Sequence, residues 1–350
     1  MARLLTAGAE EATRRGMMDI FNIPTATANE STGIADVFNR HQVTPRTGDY
    51  CYVGYQSNDN DYSGGFRWMP PSNMSEIYIG FGVYLTAFSN PPGVTYNYKG
   101  ALRFGIDNLQ MVFAGGGITV YRGTTSITGP HSLSAGLNQW TYVEVYAKSH
   151  ASTGIVTVKI DGVQSFSTSS LNTGAGVLGD VVFGGANTAQ YVYFDDIVIN
   201  SVDGASNNSW PGQVRLFPLR VNRAGDVSNM TRKGVDLGYN HAQVREVGSG
   251  IAFLESGTVG NYDLVGVDAP DLPAGATINQ IIVQTHARTG AGGRSIINKI
   301  KSGATENEAA SRTLGYAWKA YQDVWLTNPG DSAAWGEADL PSLQIGAEVA

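Results

Sequence analysis

The chain has 350 residues and a formal net charge of −7, and it contains no block of lysine or arginine. Nothing in this charge pattern favours a nucleic-acid-binding surface. Its single cysteine, Cys51, excludes an intrachain disulfide framework and a cysteine-based zinc cluster. Hydrophobic residues make up 42% and charged residues 15%, so the chain is apolar enough for a sizeable core and too poor in charge to be disordered.

The N-terminal residues 1–18 carry neither an apolar signal region nor a cleavage site. No stretch of the chain is apolar for long enough to span a membrane as a helix. The sequence therefore predicts a protein that is made and kept in the cytoplasm, without membrane insertion.

Strand patterns recur along the first part of the chain, and most are bounded by Gly, Asn, Pro or Asp. Their regular spacing predicts antiparallel sheets packed as a sandwich, with Cys51 as a small buried residue. The predicted strands lie within 49–55, 64–70, 76–88, 101–106, 109–114, 117–123, 139–148, 154–162, 179–185 and 191–200.

The composition changes at SVDGASNNSWPGQ (201–213), which is rich in Ser, Asn and Gly and is typical of a linker. Strand patterns resume beyond it, so we predict an all-β chain with domains 1–205 and 206–350, the second a smaller β-sandwich. Only 10–20 and 333–344 have the pattern of a short helix. The later predicted strands lie within 214–222, 250–256, 262–267, 277–288, 294–303, 321–329 and 343–349.

The clearest candidate for catalysis is the adjacent pair Asp195 and Asp196 in YVYFDDIVIN (191–200). Successive side chains of a strand point to opposite faces, so the two carboxylates converge only if the backbone bulges between them. A glycosidase needs two carboxylates held across a sugar. We therefore expect one aspartate to face solvent and the other to bind loop backbone groups, and we predict no catalytic residue.

Metal and phosphate sites have weaker signals. Asp59 and Asp61 in SNDNDYSGG (57–65) offer oxygen ligands for Ca²⁺, but Pro70 stands where a calcium-binding loop needs a glutamate. We expect a solvated turn there and no cofactor, with Ca²⁺ at these two aspartates as the alternative. The five histidines lack zinc-ligand spacing. The glycine run in AGGGITV (114–120) is not followed by a helix, which favours a hairpin turn over a phosphate loop.

Aromatic side chains near loops are the remaining candidates, because their rings can stack on sugars or fill the space between sheets. The sequence does not separate these two roles. The candidates are Tyr55, Tyr62, Trp68, Tyr96 and Tyr98.

The run NQWTYVEVYAKSHASTGIVTVKIDGVQSF (138–166) resembles the concanavalin A-like, or laminin G-like, jelly-roll domains. The resemblance implies that Trp140 begins one of two adjacent antiparallel strands and that Asp161-Gly162 forms the following hairpin. It also implies that Asp195 and Asp196 lie in a closing strand, where such a pair is mostly structural. It covers most of residues 1–205.

The opening MARLLTAGAE and the junction 195–218 are similar to tailed-bacteriophage virion proteins, as are 271–289, 294–306 and 335–349. This resemblance implies a non-catalytic virion component, assembled in the host cytoplasm: a head decoration, head fibre or tail-associated protein. Its partners would be capsid or tail proteins, and the jelly roll would be available to contact host surface glycans. We expect a homo-oligomer, for which a trimer is one form by analogy with fibre-like proteins.

Two other functions stay open. A free, lectin-like carbohydrate-binding module would bind glycans through exposed Tyr or Trp residues, with Ca²⁺ at Asp59 and Asp61. A glycan-depolymerising enzyme would need a convergent carboxylate pair in a cleft, for which the sequence offers no good candidate.

Overall fold

A computed structural model describes residues 3–7, 43–48, 51–54, 66–70, 72–85, 102–105, 109–114, 117–123, 125–132, 138–174, 176–184, 192–245, 252–290 and 292–350. The predicted all-β class is confirmed. The chain forms two compact units, Met1–Leu216 and Phe217–Ala350. The first unit therefore extends past the predicted boundary at 205/206 by the eleven residues 206–216.

The first unit is an antiparallel jelly-roll sandwich of two sheets. Within the described residues its strands are β1 (Arg3–Ala7), β2 (Tyr52–Gly54), β3 (Phe66–Trp68), β4 (Glu76–Leu85), β5 (Leu102–Phe104), β6 (Leu109–Ala114), β7 (Gly117–Arg122), β8 (Thr125–Ser132), β9 (Trp140–Lys148), β10 (Gly154–Ile160), β11 (Val163–Leu171), β12 (Val181–Phe183) and β13 (Val192–Asn200). The first sheet has the order β1-β13-β4-β9-β10-β11, with β2 paired to β13, and the second has the order β3-β12-β5-β6-β7-β8.

The core of this unit lies between the two sheets and follows from strand alternation. In β4, Ile77, Ile79 and Phe81 point inward, and Phe81 meets Phe183 of the opposite sheet edge to face at 5.8 Å between ring centroids. The residues between them in sequence, such as Tyr78, lie on the other side of the first sheet. We call that side the outer face.

The hairpins agree with the turn chemistry of the sequence. Asp161 and Gly162 both have positive φ, 47° and 80°, between β10 and β11, as a two-residue turn requires. The strands on either side of the glycine run also pair, with Ala114 opposite Gly117. Both hairpin predictions are confirmed. Cys51 is buried, also as predicted.

The second unit is a smaller sandwich. A sheet of order β14-β17-β23-β19-β20, with β21 paired to β19, packs on the β18–β22 pair around Ile300, Trp325 and Trp335. A separate hairpin pairs β15 with β16. Within the described residues its strands are β14 (Val221–Ser228), β15 (Thr231–Gly234), β16 (Ala252–Glu255), β17 (Tyr262–Val267), β18 (Ile281–Ala287), β19 (Ser295–Ser302), β20 (Thr305–Glu308), β21 (Arg312–Thr313), β22 (Lys319–Trp325) and β23 (Gln344–Val349).

Helical structure is short, as the sequence indicated. Predicted helix 333–344 contains a 3₁₀ helix at Glu337–Ser342, and a single α-helical turn, α1 (Asn240–Gln243), lies beside the β15–β16 hairpin. Predicted helix 10–20 lies outside the described residues. Among the residues that the structure describes, no helix has the length and apolar character needed to cross a membrane.

One strand prediction is wrong. The pattern at 214–222 predicts a strand, yet a strand begins only at Val221. Val214 and Leu216 belong to the first unit and do not join β14, because their backbones bind other residues of that unit: Arg46 donates to the Val214 carbonyl at 2.6 Å, and the Leu216 amide donates to Asp196 at 2.8 Å.

Candidate functional site

The aspartate pair lies at a β-bulge. Asp195 is opposite Gly82 of β4, while Val198 is opposite Gly80, so β13 carries one residue more than its partner across this interval. Asp196 absorbs the extra residue with a φ of +51°, a region that aspartate tolerates better than most residues. Both carboxylates consequently leave the strand on the outer face.

The two carboxylates bind one loop, residues 43–48. Asp195 Oδ2 accepts hydrogen bonds from the backbone amides of Arg46 and Thr47 at 3.0 and 3.1 Å. Asp196 Oδ2 accepts from the Arg46 guanidinium and from Thr47 Oγ1, the latter at 3.0 Å. Asp195 Oδ1 also accepts the Asp196 amide at 2.8 Å.

This geometry corrects one part of the prediction. Both aspartates have 0% exposure, so the expectation that one faces solvent is wrong. The physical reason is the bulge, which turns both side chains toward the same loop. The expectation that one of the two binds loop backbone groups is confirmed for Asp195. A general acid or nucleophile must reach its substrate, and these buried oxygens instead accept hydrogen bonds from the protein itself.

A connecting segment (201–216) crosses the outer face and is held by polar side chains of the strands beneath it. Glu144 Oε1 of β9 accepts the Gly212 amide at 2.7 Å, and Asn200 Nδ2 donates to the Ser209 carbonyl at 2.8 Å. Together with Asp196 and Arg46, these groups fix the segment by hydrogen bonds to its backbone. The segment thus has the Ser- and Asn-rich composition of a linker, but it covers part of a sheet.

Burial shifts the pKa values of two groups under this segment. Burial lowers the pKa of the Arg3 guanidinium to about 10, and Arg3 Nε donates to Asn200 Oδ1 at 2.6 Å. Burial also raises the pKa of Tyr142, whose hydroxyl lies beneath the segment and has no hydrogen-bond partner among the described residues. The Arg46 guanidinium lies 4.7 Å above the Tyr142 ring. These shifts arise from packing under the segment.

A second group of outer-face residues is aromatic. Tyr78 of β4 and Tyr146 of β9 stack at 4.7 Å between ring centroids. Trp210 of the connecting segment meets their edges at 5.3 and 6.4 Å, and the Lys159 ammonium lies 4.0 Å above the Trp210 ring. All four side chains are half-buried. We call Tyr78, Tyr146 and Trp210 the aromatic cluster.

The aromatic cluster borders a fixed carboxylate. Glu76 accepts hydrogen bonds from Tyr146 Oη at 2.6 Å and from Lys148 Nζ at 2.7 Å. The bond from Lys148, followed by that from Tyr146, holds the pKa of Glu76 below its usual range. Burial, with the Glu76 hydrogen bond second, raises the pKa of Tyr146. At neutral pH the cluster thus presents an ionised carboxylate beside two neutral phenols.

The aromatic residues chosen from the sequence are placed differently. Trp68 is buried in the core between the sheets, so it is not available to stack on a sugar. Tyr55, Tyr62, Tyr96 and Tyr98 lie outside the described residues. The aromatic cluster was not among the residues predicted from the sequence, although EIYIG and VEVYAK place Tyr78 and Tyr146 on the polar side of alternating strands.

The metal candidates Asp59 and Asp61 also lie outside the described residues. Within the described part of the chain, no group of three or more His, Cys, Asp or Glu side chains is arranged to hold a metal ion.

The second unit carries a run of exposed side chains at 231–239, next to α1. The run continues into α1 through Tyr239, whose ring stacks on His241 at 5.4 Å. This exposed surface by itself identifies no partner. Its large apolar members, with one more after α1, are Val235, Leu237, Tyr239 and Val244.

The chain matches no protein-family model, and no curated protein matches it. Solved structures align with parts of it. The binding domain of Paraclostridial Mosquitocidal Protein 1 is 12% identical, with a TM-score of 0.39 over 67% of this chain and 58% of that chain. The Botulinum Neurotoxin Type G receptor-binding domain is 12% identical, with a TM-score of 0.35 over 70% of each chain.

An endo-β-1,4-glucuronan lyase from the fungus Trichoderma reesei is 15% identical, with a TM-score of 0.33 over 47% of this chain and 90% of that chain. At these identities and TM-scores, the likenesses carry no argument about what this chain binds or does. They also add no support to the resemblance to phage virion proteins.

Proposed function

We propose that this chain is a non-catalytic binding component of a tailed-phage particle, located on the head or tail and assembled in the host cytoplasm. The hydrogen bonding of the Asp195–Asp196 pair is the observation that supports a non-catalytic role. Both carboxylates are fully buried and accept hydrogen bonds from Arg46 and Thr47. They stabilise the fold, whereas a glycosidase needs two carboxylates that reach the sugar on either side of the scissile bond.

The particle part rests on the sequence similarity at the N-terminus, the junction and the C-terminal segments. The architecture is compatible with it, because two closed sandwich cores give a protein that persists by packing alone, without disulfides. In such a particle the chain would contact capsid or tail proteins as a homo-oligomer with a fixed copy number.

Quantitative mass spectrometry of purified particles, calibrated on a known coat protein, tests this proposal. We expect a reproducible copy number, hundreds for a head protein and a few to tens for a tail or vertex protein. Absence of the chain from particles would exclude the virion role. Release of reducing ends from glycans by the purified chain, abolished in Asp195→Asn, would contradict the non-catalytic role.

A free carbohydrate-binding module is the second candidate, favoured by the aromatic cluster on the outer face. This function can be distinguished from the virion role, because a free module would bind glycans and be absent from particles. Either function leaves the carboxylates of β13 in their structural role.

A further inference from the structure

A row of four side chains crosses the outer face of the first sheet. Tyr78 of β4 is directly opposite Tyr146 of β9, Tyr146 is opposite Thr157 of β10, and Thr157 is opposite Ser167 of β11. Three strand spacings separate its ends, so the row spans about 14 Å. We call Tyr78, Tyr146, Thr157 and Ser167 the outer row.

The outer row combines rings with fixed polar groups. Its aromatic end holds the Tyr78–Tyr146 stack, and its other end holds a pair of hydroxyls 2.7 Å apart, Thr157 Oγ1 of a buried residue and Ser167 Oγ of an exposed one. Glu76 and Lys148 flank the row on one side, joined by the 2.7 Å ion pair. Trp210 and Lys159 flank the aromatic end on the other side.

These groups lie outside the hydrophobic core between the sheets. Their hydrogen bonds hold donors and acceptors in place around the rings, which lowers the entropic cost of binding a polar ligand. A binding site for a small polar molecule has this composition: an apolar surface with a few placed polar groups at its edge.

We propose that the outer row, with Trp210, Lys159, Glu76 and Lys148 around it, is a binding face for a glycan chain. A pyranose ring has an apolar C–H side and a rim of hydroxyls. The C–H side would pack on Tyr78, Tyr146 and Trp210, while Glu76 accepts from the rim and Lys148 donates to it. This inference rests on the proposed function only in that the face binds a glycan without cleaving it.

The composition of the face favours a saccharide over a protein partner. Protein docking surfaces expose large contiguous apolar side chains. In the described part of the first unit, the large apolar side chains with high exposure are Met69, Val163 and Val177, and none belongs to the outer row. The row instead consists of two rings followed by two hydroxyls, with the Glu76–Lys148 ion pair beside it.

A glycan array probed with the purified full chain identifies the oligosaccharide that binds most tightly. Isothermal titration calorimetry with that oligosaccharide then measures the affinity. We expect saturable binding that Tyr78→Ala weakens by about fivefold, because a packed ring contributes about 1 kcal/mol. Tyr146→Phe keeps the ring and removes the hydroxyl that holds Glu76, and we expect several-fold weaker binding. Tyr239→Ala removes an exposed ring of the second unit and is the matched control, with unchanged affinity.

Two results would overturn the inference: an array without saturable binding, or binding that Tyr78→Ala and Tyr146→Phe leave unchanged. Tyr146→Phe keeps the test decisive even if Tyr78→Ala does not fold, because it adds no cavity. The copy number in particles is measured independently. If the chain is present in particles but binds no glycan, only the glycan-binding inference is contradicted. If it binds a glycan but is absent from particles, only the virion role is contradicted.

Discussion

Arg46 joins three separate parts of the first unit. Its backbone amide donates to Asp195, its guanidinium pairs with Asp196 and donates to the Val214 carbonyl, and the same group covers the ring of Tyr142. Planar guanidinium groups suit this role because several donors leave one side chain in fixed directions. The loop at 43–48 and the connecting segment therefore depend on one buried cation and its carboxylate.

Replacing Asp196 by asparagine tests that dependence. Asparagine tolerates the positive φ at this position, so the change removes the charge and leaves the backbone unstrained. Arg46, with a side chain that is 11% exposed, would then lack its carboxylate. Breaking a buried pair from one side costs about 3 to 5 kcal/mol, so we expect the free energy of unfolding of the first unit to fall by about 3 kcal/mol.

Hydrogen exchange in increasing urea, followed on peptides from β9 and β13, measures this loss in the first unit alone. Glu255→Gln is the control, because it breaks an ion pair with Lys233 in which both side chains are about half exposed. Such pairs contribute less than about 1 kcal/mol. Equal effects of the two substitutions would show that Asp196 does not anchor the loop.

Glu76 gives a prediction on pH. The folded pKa of Glu76 is lowered by Lys148 and Tyr146, so its stabilisation is present above its unfolded pKa and is lost as the pH falls through the folded pKa. We expect Glu76→Gln to destabilise the first unit by up to about 1 kcal/mol at pH 7, since the pair is partly solvated. At pH 3 the difference should shrink. Chemical denaturation at both pH values measures it, and a constant difference would contradict the assignment.

At the scale of elements, apolar alternation predicted the strands with a buried face, such as β4, β9, β10 and β17. It missed β11 and β20, which are sheet-edge strands made largely of Ser, Thr, Glu and Asn, because hydrogen bonding to a neighbour defines them more than burial does. The bulge in β13 was also outside what the pattern could predict. The bulge depends on the hydrogen bonds of Asp196 with Arg46 and Leu216, which are distant from it in sequence.

The same limit explains the candidate site. The sequence identified Asp195 and Asp196 and predicted that one of them binds a loop, but it predicted neither the burial of both nor which loop they bind. It placed the aromatic candidates near loops, whereas the aromatic cluster needs the register of β4 against β9 and the return of Trp210 over the outer face. Contacts between residues this far apart follow from the fold and not from local sequence.

Trp210 is an aromatic contact of the connecting segment with the sheet below it. Trp210→Ala removes its ring contacts with Tyr78 and Tyr146 and the Lys159 cation–π contact, while the Gly212–Glu144 hydrogen bond stays. We expect the segment to open more often, so limited proteolysis within 201–216 should become several-fold faster. Mass spectrometry of the first cleavage products measures the rate.

Trp318→Ala is the matched control for that experiment, because Trp318 is a half-buried ring of the second unit that contacts Phe253 and Arg288. It should leave cleavage within 201–216 unchanged. Equal cleavage in Trp210→Ala and the unsubstituted chain would mean that backbone hydrogen bonds alone hold the segment.

At the scale of the whole molecule, the division at Leu216/Phe217 gives the connecting segment to the first unit. A fragment 1–216 keeps the Leu216 amide on Asp196, the Val214 carbonyl on Arg46 and the Gly212 amide on Glu144. A fragment 1–205, cut at the composition change, loses all three partners and Trp210. Each buried polar group left without a partner costs about 1 to 3 kcal/mol.

We therefore expect fragment 1–216 to be more stable than fragment 1–205 by about 3 kcal/mol or more, measured by urea denaturation of the two purified fragments. The shorter fragment should also bind the Arg46 loop less tightly, since Arg46 and Asp196 each lose one partner, and hydrogen exchange at 43–48 should be faster in it. Equal stability of the two fragments would place the domain boundary at 205/206, as the composition predicts. It would also mean that water replaces the hydrogen bonds of the segment without loss of stability. A less stable 1–205 would instead assign residues 206–216 to the jelly roll as a structural part of its outer face.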